Sequence, residues 1–424
     1  MAAWVFESSP AVAPQHPPAG PTHWLGGVYV LLLAFPYVQW VPIPSYTQPV
    51  HLLVGGLLLL LSMGLVWRLH WTDAIGAVGL AWVGLALFSA LGTGATDAQA
   101  LKYLLSFVSP LLLGVTAWQV VRSDPARAAV LLRWSMAFWC GVSLLQATVS
   151  PTLGTGLLGQ WGAYAGDIAA SGRGVLGLAP EPTHHAFHVL VLAAAMVLLD
   201  PSPWGRRWAA LGVFEAVVLA GSSSAILALG LALCVWFVRY RLGWSVLLLA
   251  VVVLGWPWWP TVLALPLGTG SRAYSLLVDL MVDPLGLLVA DLSVNMRLGG
   301  LWATLYDIFA NGFVPRGMAQ DTWEATRQNA RLAHPWLADI SGNGPPSGLG
   351  MLVYQAGCWA VLPVLFVFRR VLQLRGQSAV AQVLLLAMPL VFLSQFYLSS
   401  PAFALLYGAA LHRKWSVPRH TYGN

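Results

Sequence analysis

The stretch Ser171 to Leu190, SGRGVLGLAPEPTHHAFHVL, sets one arginine, one carboxylate and three histidines beside a long apolar run. Arg173 offers a planar fork that matches a phosphate or diphosphate. Gly172 and Gly174 on either side of it let an anion come close to the backbone. The same arginine would also suit a loop side chain that snorkels to lipid headgroups. Glu181 precedes Pro182, a residue favoured at the first position of a helix, where a carboxylate offsets the helix dipole. At a membrane surface, partial desolvation would also move that carboxyl toward the range of a general base or acid. His184 and His188 stand one helical turn apart, a spacing able to seat a metal. HHAFH is not H-E-x-x-H, however, and the sequence places no third ligand, so no metal is expected. Glu215 lies deep in an apolar run, a costly place for an acid and a candidate proton or cation site. GSSSA, Gly221 to Ala225, lacks the context of a nucleophile and reads as small residues packed between spans.

What holds these residues must be a membrane-embedded scaffold. Of 424 residues 58% are hydrophobic and 8% charged, against about 25% charged in soluble domains. Runs such as HLLVGGLLLLLSMGLVW and HVLVLAAAMVLL point to an all-α polytopic membrane protein. A transmembrane β-barrel would instead alternate over segments of roughly 10 residues. Segments near 25–44, 50–67, 73–92, 101–121, 127–149, 184–200, 207–221, 224–238, 243–262, 347–368, 379–397 and 399–412 are apolar enough to cross, for a total of about 11 to 12 spans. Residues 1–24 are rich in proline, with Glu7 their one charged side chain, and make a poor signal peptide. They are expected to form an irregular cytoplasmic lead-in to a single membrane domain, 1–424. Cys140, Cys234 and Cys358 all fall in apolar runs and read as small buried hydrophobes.

The net charge of +6 is a topology signal rather than a nucleic-acid footprint. With the N-terminus inside, fourteen of the 21 basic residues fall on the cytoplasmic side and every inner connection holds at least one. Both termini are then cytoplasmic. Lys102, Arg173, Arg272, Arg297, Arg316, Arg327 and Arg331 remain outside. All but Lys102 lie in two long external loops, 150–183 and 263–346, and loops of that length are often functional. Six external arginines suggest an anionic ligand. The second loop has helices of its own. One reads from Ser293 as N-cap, with Leu298, Leu301, Trp302, Leu305, Ile308 and Phe309 on one stripe, and ends at ANGF. Arg297 falls in its first turns, where the dipole disfavours a cation. Another opens at Asp321, with Glu324 three residues on, and carries Arg327 and Arg331 one turn apart. GNGPPSG breaks the chain before the next span.

The pattern R-G-x-x-G-L-x-P-E-P-T-H-H-A, from Arg173, leads into an apolar helix and resembles the O-antigen polymerases of the Wzy type. SVNMRLGGLWATLYDIFANGFVPRG resembles that family's second hallmark, an arginine followed by an amphipathic helix and a glycine-containing turn. SGLGMLVYQAGCWAVLPVLF resembles its return to the membrane. Thr183 stands where serine is commoner, GSSSA lacks the arginine often seen after its serine, and NGFVPRG holds fewer glycines than usual. The resemblance implies a GT-C-like glycosyltransferase acting at the periplasmic face. Its substrates would be undecaprenyl-diphosphate-linked glycans, the growing chain passing from its carrier to the next lipid-linked repeat unit. It further implies that Arg173, Arg297 and Arg316 bind the diphosphate, and that Gly172, Gly174, Pro182 and His184 support the site. Glu181 is the candidate base or an arginine strut. His334, similar to a loop histidine of the related O-antigen ligases, is a second candidate base and equally a surface histidine before a proline turn. No cofactor is implied. Partners would be membrane lipid and a chain-length regulator, with no nucleic acid. Two other readings stand beside this one: a ligase with a different acceptor, and a polytopic transporter or flippase using Glu215 and the external arginines.

Overall fold

The structure is a computed structural model, and it describes residues 21–42, 47–61, 98–172, 174–243, 299–317, 320–335, 347–357, 378–394 and 400–416, with isolated positions between them. Among these residues every regular element is helical and none is a strand. Three described helices are long and apolar enough to cross a membrane, Pro125–Thr148, Pro182–Leu199 and Ser223–Tyr240. The spans expected over 73–92 and nearly all of 243–262 lie outside the described residues.

The chain enters through α1 (Pro21–Ala34) and α2 (Val50–Leu61). The apolar run predicts a first span to residue 44, whereas the helix stops at Ala34. Pro36 explains the stop, because it disfavours helical geometry at Phe35 and has no amide to donate. The backbone then doubles back, the Gln48 amide donating to the Pro36 carbonyl at 2.8 Å. α3 (Ala98–Ser123) and α4 (Pro125–Thr148) follow, joined at Asp124. Its carboxylate accepts the Arg127 amide at 2.9 Å and Pro125 opens the helix, a cap worth about 1 kcal/mol. The loop after α4 is more ordered than its periodicity foretold. It holds a short 3₁₀ stretch (Thr155–Trp161) and α5 (Gly162–Ala170).

α6 (Pro182–Leu199) is the centre of the fold. It is apolar on all sides and buried along almost its whole length, as a helix without a polar face must be. α4 and α7 (Pro203–Phe214) pack against it, as do α12 (Ala379–Ser394) and α13 (Pro401–Ser416). α13 also lies tightly along α3, where a side chain at Gly408 would come within 2.8 Å of the Ala117 backbone. Small residues at such crossings allow close helix approach without a water-driven core. Beyond α7 the helix widens into a π-turn (Glu215–Leu219), and Ser222 then caps α8 (Ser223–Tyr240) by accepting the Ala225 amide. GSSSA is a helix start, with Gly221 at φ 58° making the bend, and its Ser222 and Ala225 are buried as packed small residues would be.

The second loop contributes α9 (Gly300–Ala310) and α10 (Gln320–Ala333); α11 (Gly348–Ala356), at the start of the span expected over 347–368, touches α12. Residues 342–344 and 346 of GNGPPSG lie outside the described residues; Ser347 caps α11 by accepting the Gly350 amide. ANGF ends α9 as expected, with Gly312 and Phe313 both at positive φ. The apolar stripe of α9 is split: its Trp302, Leu305 and Phe309 are exposed, while its Ile308 is buried together with Ala303, Thr304 and Asp307. The periodicity predicts the stripe but not its direction. Ala303 is on the inward face, in one buried cluster with Trp323, Ala330 and Tyr354, where a larger side chain would not fit.

Candidate functional site

Glu181 stands at the N-cap of α6 in extended geometry, with Pro182 at the first helical position. Its side chain does not cap the helix. Instead Oε1 accepts a hydrogen bond from the Tyr164 hydroxyl of α5 at 2.8 Å. The carboxylate is half-buried, and its field reaches the Tyr37 hydroxyl. Tyr37 in turn presents its ring edge-on to His184 and His188, at 6.2 and 5.7 Å between centroids. Loop 150–183 is drawn onto this end of the bundle by Gln146 near the end of α4. The Gln146 amide nitrogen donates to the Gly177 and Leu153 carbonyls at 2.8 and 2.7 Å, and its oxygen accepts the Gly177 amide at 2.7 Å. At Gly174, φ is 128° and an added Cβ would run into the Ala220 carbonyl. The glycine beside Arg173 thus lets the loop lie against the end of the π-turn. Gly172 is also at positive φ, 68°.

The three histidines part company. His188 donates from Nε2 to the Ala34 carbonyl at 2.8 Å, and Trp139 donates to the same oxygen at 2.9 Å. Together they satisfy a carbonyl orphaned at the C-terminus of α1. His184 is half-buried against Tyr37. His185, which its spacing does not single out, is fully buried and meets Glu215: Nε2 lies 2.8 Å from Oε1. The Ser143 hydroxyl lies 2.9 Å from the same Glu215 oxygen and 3.3 Å from Nε2. This serine, histidine and acid do not form a hydrolytic triad, because serine and acid share one ring nitrogen instead of flanking the imidazole. Among the described residues no three His, Cys, Asp or Glu side chains group so as to hold a metal. The sequence signal for His185 was there, an acid inside an apolar run that needed a partner, but the partners lie 30 and 72 residues from Glu215 and 42 from each other.

Of the expected diphosphate-binding arginines, Arg173 and Arg297 lie outside the described residues. Arg316 is placed. Its Nε and Nη2 each donate to Asp307 at 2.7 Å, one to each carboxylate oxygen, and its amide donates to the Tyr354 carbonyl at 2.9 Å. That makes it a clasp between α9 and α11. The predicted Glu324 helix is α10, where Glu324 pairs with Arg327. His334 ends α10 with its ring edge-on to Trp302 and Tyr306 of α9, at 5.7 and 5.3 Å. Glu181 thus belongs to the α5–α6 end of the bundle and His334 to the α9–α10 pair.

At the opposite end of α6, Asp200 takes Arg133 of α4 at 2.7 Å. α4 and α6 therefore run antiparallel, with an ion pair at one end and Glu181 at the other. Comparison with protein-family models and with curated proteins found no match to this chain.

Proposed function

We propose that this chain is a multi-pass membrane glycosyltransferase that polymerises undecaprenyl-diphosphate-linked repeat units at the periplasmic face. The observation that carries the reading is Glu181: a half-buried carboxylate at the mouth of the central apolar helix, steadied by Tyr164 on a glycine-turned loop. In this proposal about 11 to 12 spans form a GT-C-like bundle, in line with the length of chain needed per crossing. Both termini are cytoplasmic and loops 150–183 and 263–346 lie outside. An acceptor hydroxyl of the incoming unit attacks the anomeric carbon of the growing chain, Glu181 takes the hydroxyl proton, and undecaprenyl diphosphate leaves. Arg173 and Arg297 stabilise the negative charge gathering on that leaving group, where electrostatic catalysis has most leverage. Arg316, whose fork Asp307 occupies, orders the loop that carries Arg297. Arginine charge does the work a divalent ion would do elsewhere, so turnover continues in excess chelator.

The decisive experiment is incubation of the purified protein with a defined lipid-linked repeat unit. A ladder of products supports polymerisation, a single transfer to another acceptor makes it a ligase, and movement of lipid without new bonds makes it a flippase. The flippase reading loses ground on Glu215, which is engaged by His185 and Ser143 in a fully buried cluster rather than lining an open path.

A further inference from the structure

We infer that Glu215 and His185 are positioning residues: together they hold the backbone of residues 174–178, and through it the start of α6 at Glu181. This concerns geometry and does not depend on glycan polymerisation.

The proton inventory carries the inference. His185 Nδ1 lies 3.0 Å from the Val175 carbonyl. A carbonyl only accepts, so Nδ1 must bear a hydrogen. At the other nitrogen a single proton lies between Nε2 and Glu215 Oε1, on the ring or on the acid. Either placement leaves the Nδ1–H bond intact. Without a close partner at Nε2, only the longer Ser143 contact at 3.3 Å is left on that side to hold the ring, and the bond to the Val175 carbonyl weakens.

The surroundings fix the ring and the loop together. Trp139 stacks on the imidazole at 5.3 Å with 17° between planes. Gly177 covers it so closely that an added Cβ would lie 3.0 Å from Nε2. Val175 also donates its amide to the Leu219 carbonyl at 3.1 Å. Val175 is thus pinned on one side of the loop by His185 and the π-turn. Two residues on, Gly177 is pinned on the other by Gln146. Glu215 Oε2 is buried with no hydrogen-bond partner among the described residues, so the acid is held for the sake of Oε1 alone.

Glutamine is the discriminating substitution. In Glu215→Gln the amide can donate one hydrogen to Nε2 and the other to Ser143, whose own hydrogen goes to the Trp139 carbonyl 2.9 Å away. The Nδ1–H tautomer survives. In Glu215→Leu the volume remains and the hydrogen bond does not.

The test is hydrogen exchange of the amides of residues 174–179, with residues 190–197 inside α6 as control. Glu215→Gln should exchange like the natural protein, and Glu215→Leu about tenfold faster, the scale of one lost hydrogen bond, with the control unchanged. Unchanged protection in Glu215→Leu overturns the inference. Equal loosening in Glu215→Gln also overturns it, because charge rather than the hydrogen bond would then matter. If Glu215→Leu loosens the control too, His185→Asn decides. Its amide nitrogen reaches where Nδ1 stood, so protection kept in His185→Asn and lost in His185→Leu supports the inference, and equal protection in the two refutes it.

Discussion

Glu215 and Asp307 are both buried acids on helices, each facing one base, and they are neutralised in opposite ways. Asp307 meets a permanent cation. Both its oxygens are taken by the Arg316 fork and Asn311 adds a third donor, while Arg316 remains about a third exposed, 35%. Glu215 meets a titratable ring with no access to solvent and uses one oxygen. Near the surface an arginine keeps its charge because water shares the cost of it. In the apolar centre that cost is several kcal/mol per ion, so a pair able to share one proton is the cheaper solution. The first arrangement clasps a loop and the second sets a backbone.

Substitutions in and around the two acids separate these arrangements. The largest effect belongs to neither pair: Glu181→Gln should lower polymerisation about 10²- to 10⁴-fold, the range for loss of a general base, with folding intact. Ladder assays at matched membrane expression check this, and a fully active variant removes Glu181 from the chemistry. In the same assay His334→Ala, which removes a ring resting on Trp302 and Tyr306, should keep most of the activity; collapse there would make His334 the base instead.

Next comes the clasp. Asp307→Ala strips Arg316 of its partner and should loosen α9 and α11 by about 2 kcal/mol, solvent having already claimed part of the charge. Hydrogen exchange confined to those helices is the signature. Loosening that spreads into α6 would show that the two regions are one cooperative unit.

Smaller still is Asp124, between α3 and α4. Burial works to raise its pKa, but the Arg127 amide, the His23 side chain and the nearby charges outweigh it and hold the carboxyl below its usual 3.8. A depressed folded value contributes stability that is complete above the unfolded value and is lost as pH falls through the folded one. Asparagine preserves the cap, so Asp124→Asn isolates the charge, worth under about 1 kcal/mol. The melting difference between the natural protein and the variant should be present at pH 7 and vanish in strong acid; a constant difference would point to packing. Last, Phe309→Ser on the outward face of α9 should shift stability in detergent by less than about 0.5 kcal/mol. A large loss would mean that this face is covered within the protein.

What could be read from the sequence follows how far apart the partners lie. The end of α9 at ANGF, the Pro182 start of α6 and the Glu324 helix depend on neighbours within a turn or two, and they stand where periodicity and capping put them. The Ser143–His185–Glu215 cluster needed three elements to be placed first. Glu215 therefore read as a lone acid, and His185 was hidden between two histidines that shared a helical face. The direction of the α9 stripe was also invisible, because a period shows that one face differs and not which face meets protein. The same limit explains α5, whose Tyr164 holds Glu181 although nothing in the spacing of GAYAGDIAA joins them.

The π-turn at Glu215–Leu219 gives this region an unusual sensitivity to length. Its Ala220 amide reaches back to the Glu215 carbonyl, five residues away at 2.8 Å, so the turn holds one residue more than an α-helix would. Each helical residue advances the chain by about 100°. Losing a single codon here would let an ordinary helix close and swing Glu215 out of line with His185, although every remaining side chain would be unchanged. Such a deletion is expected to do more harm than most replacements at the same positions. In this segment chain length carries information that residue identity does not.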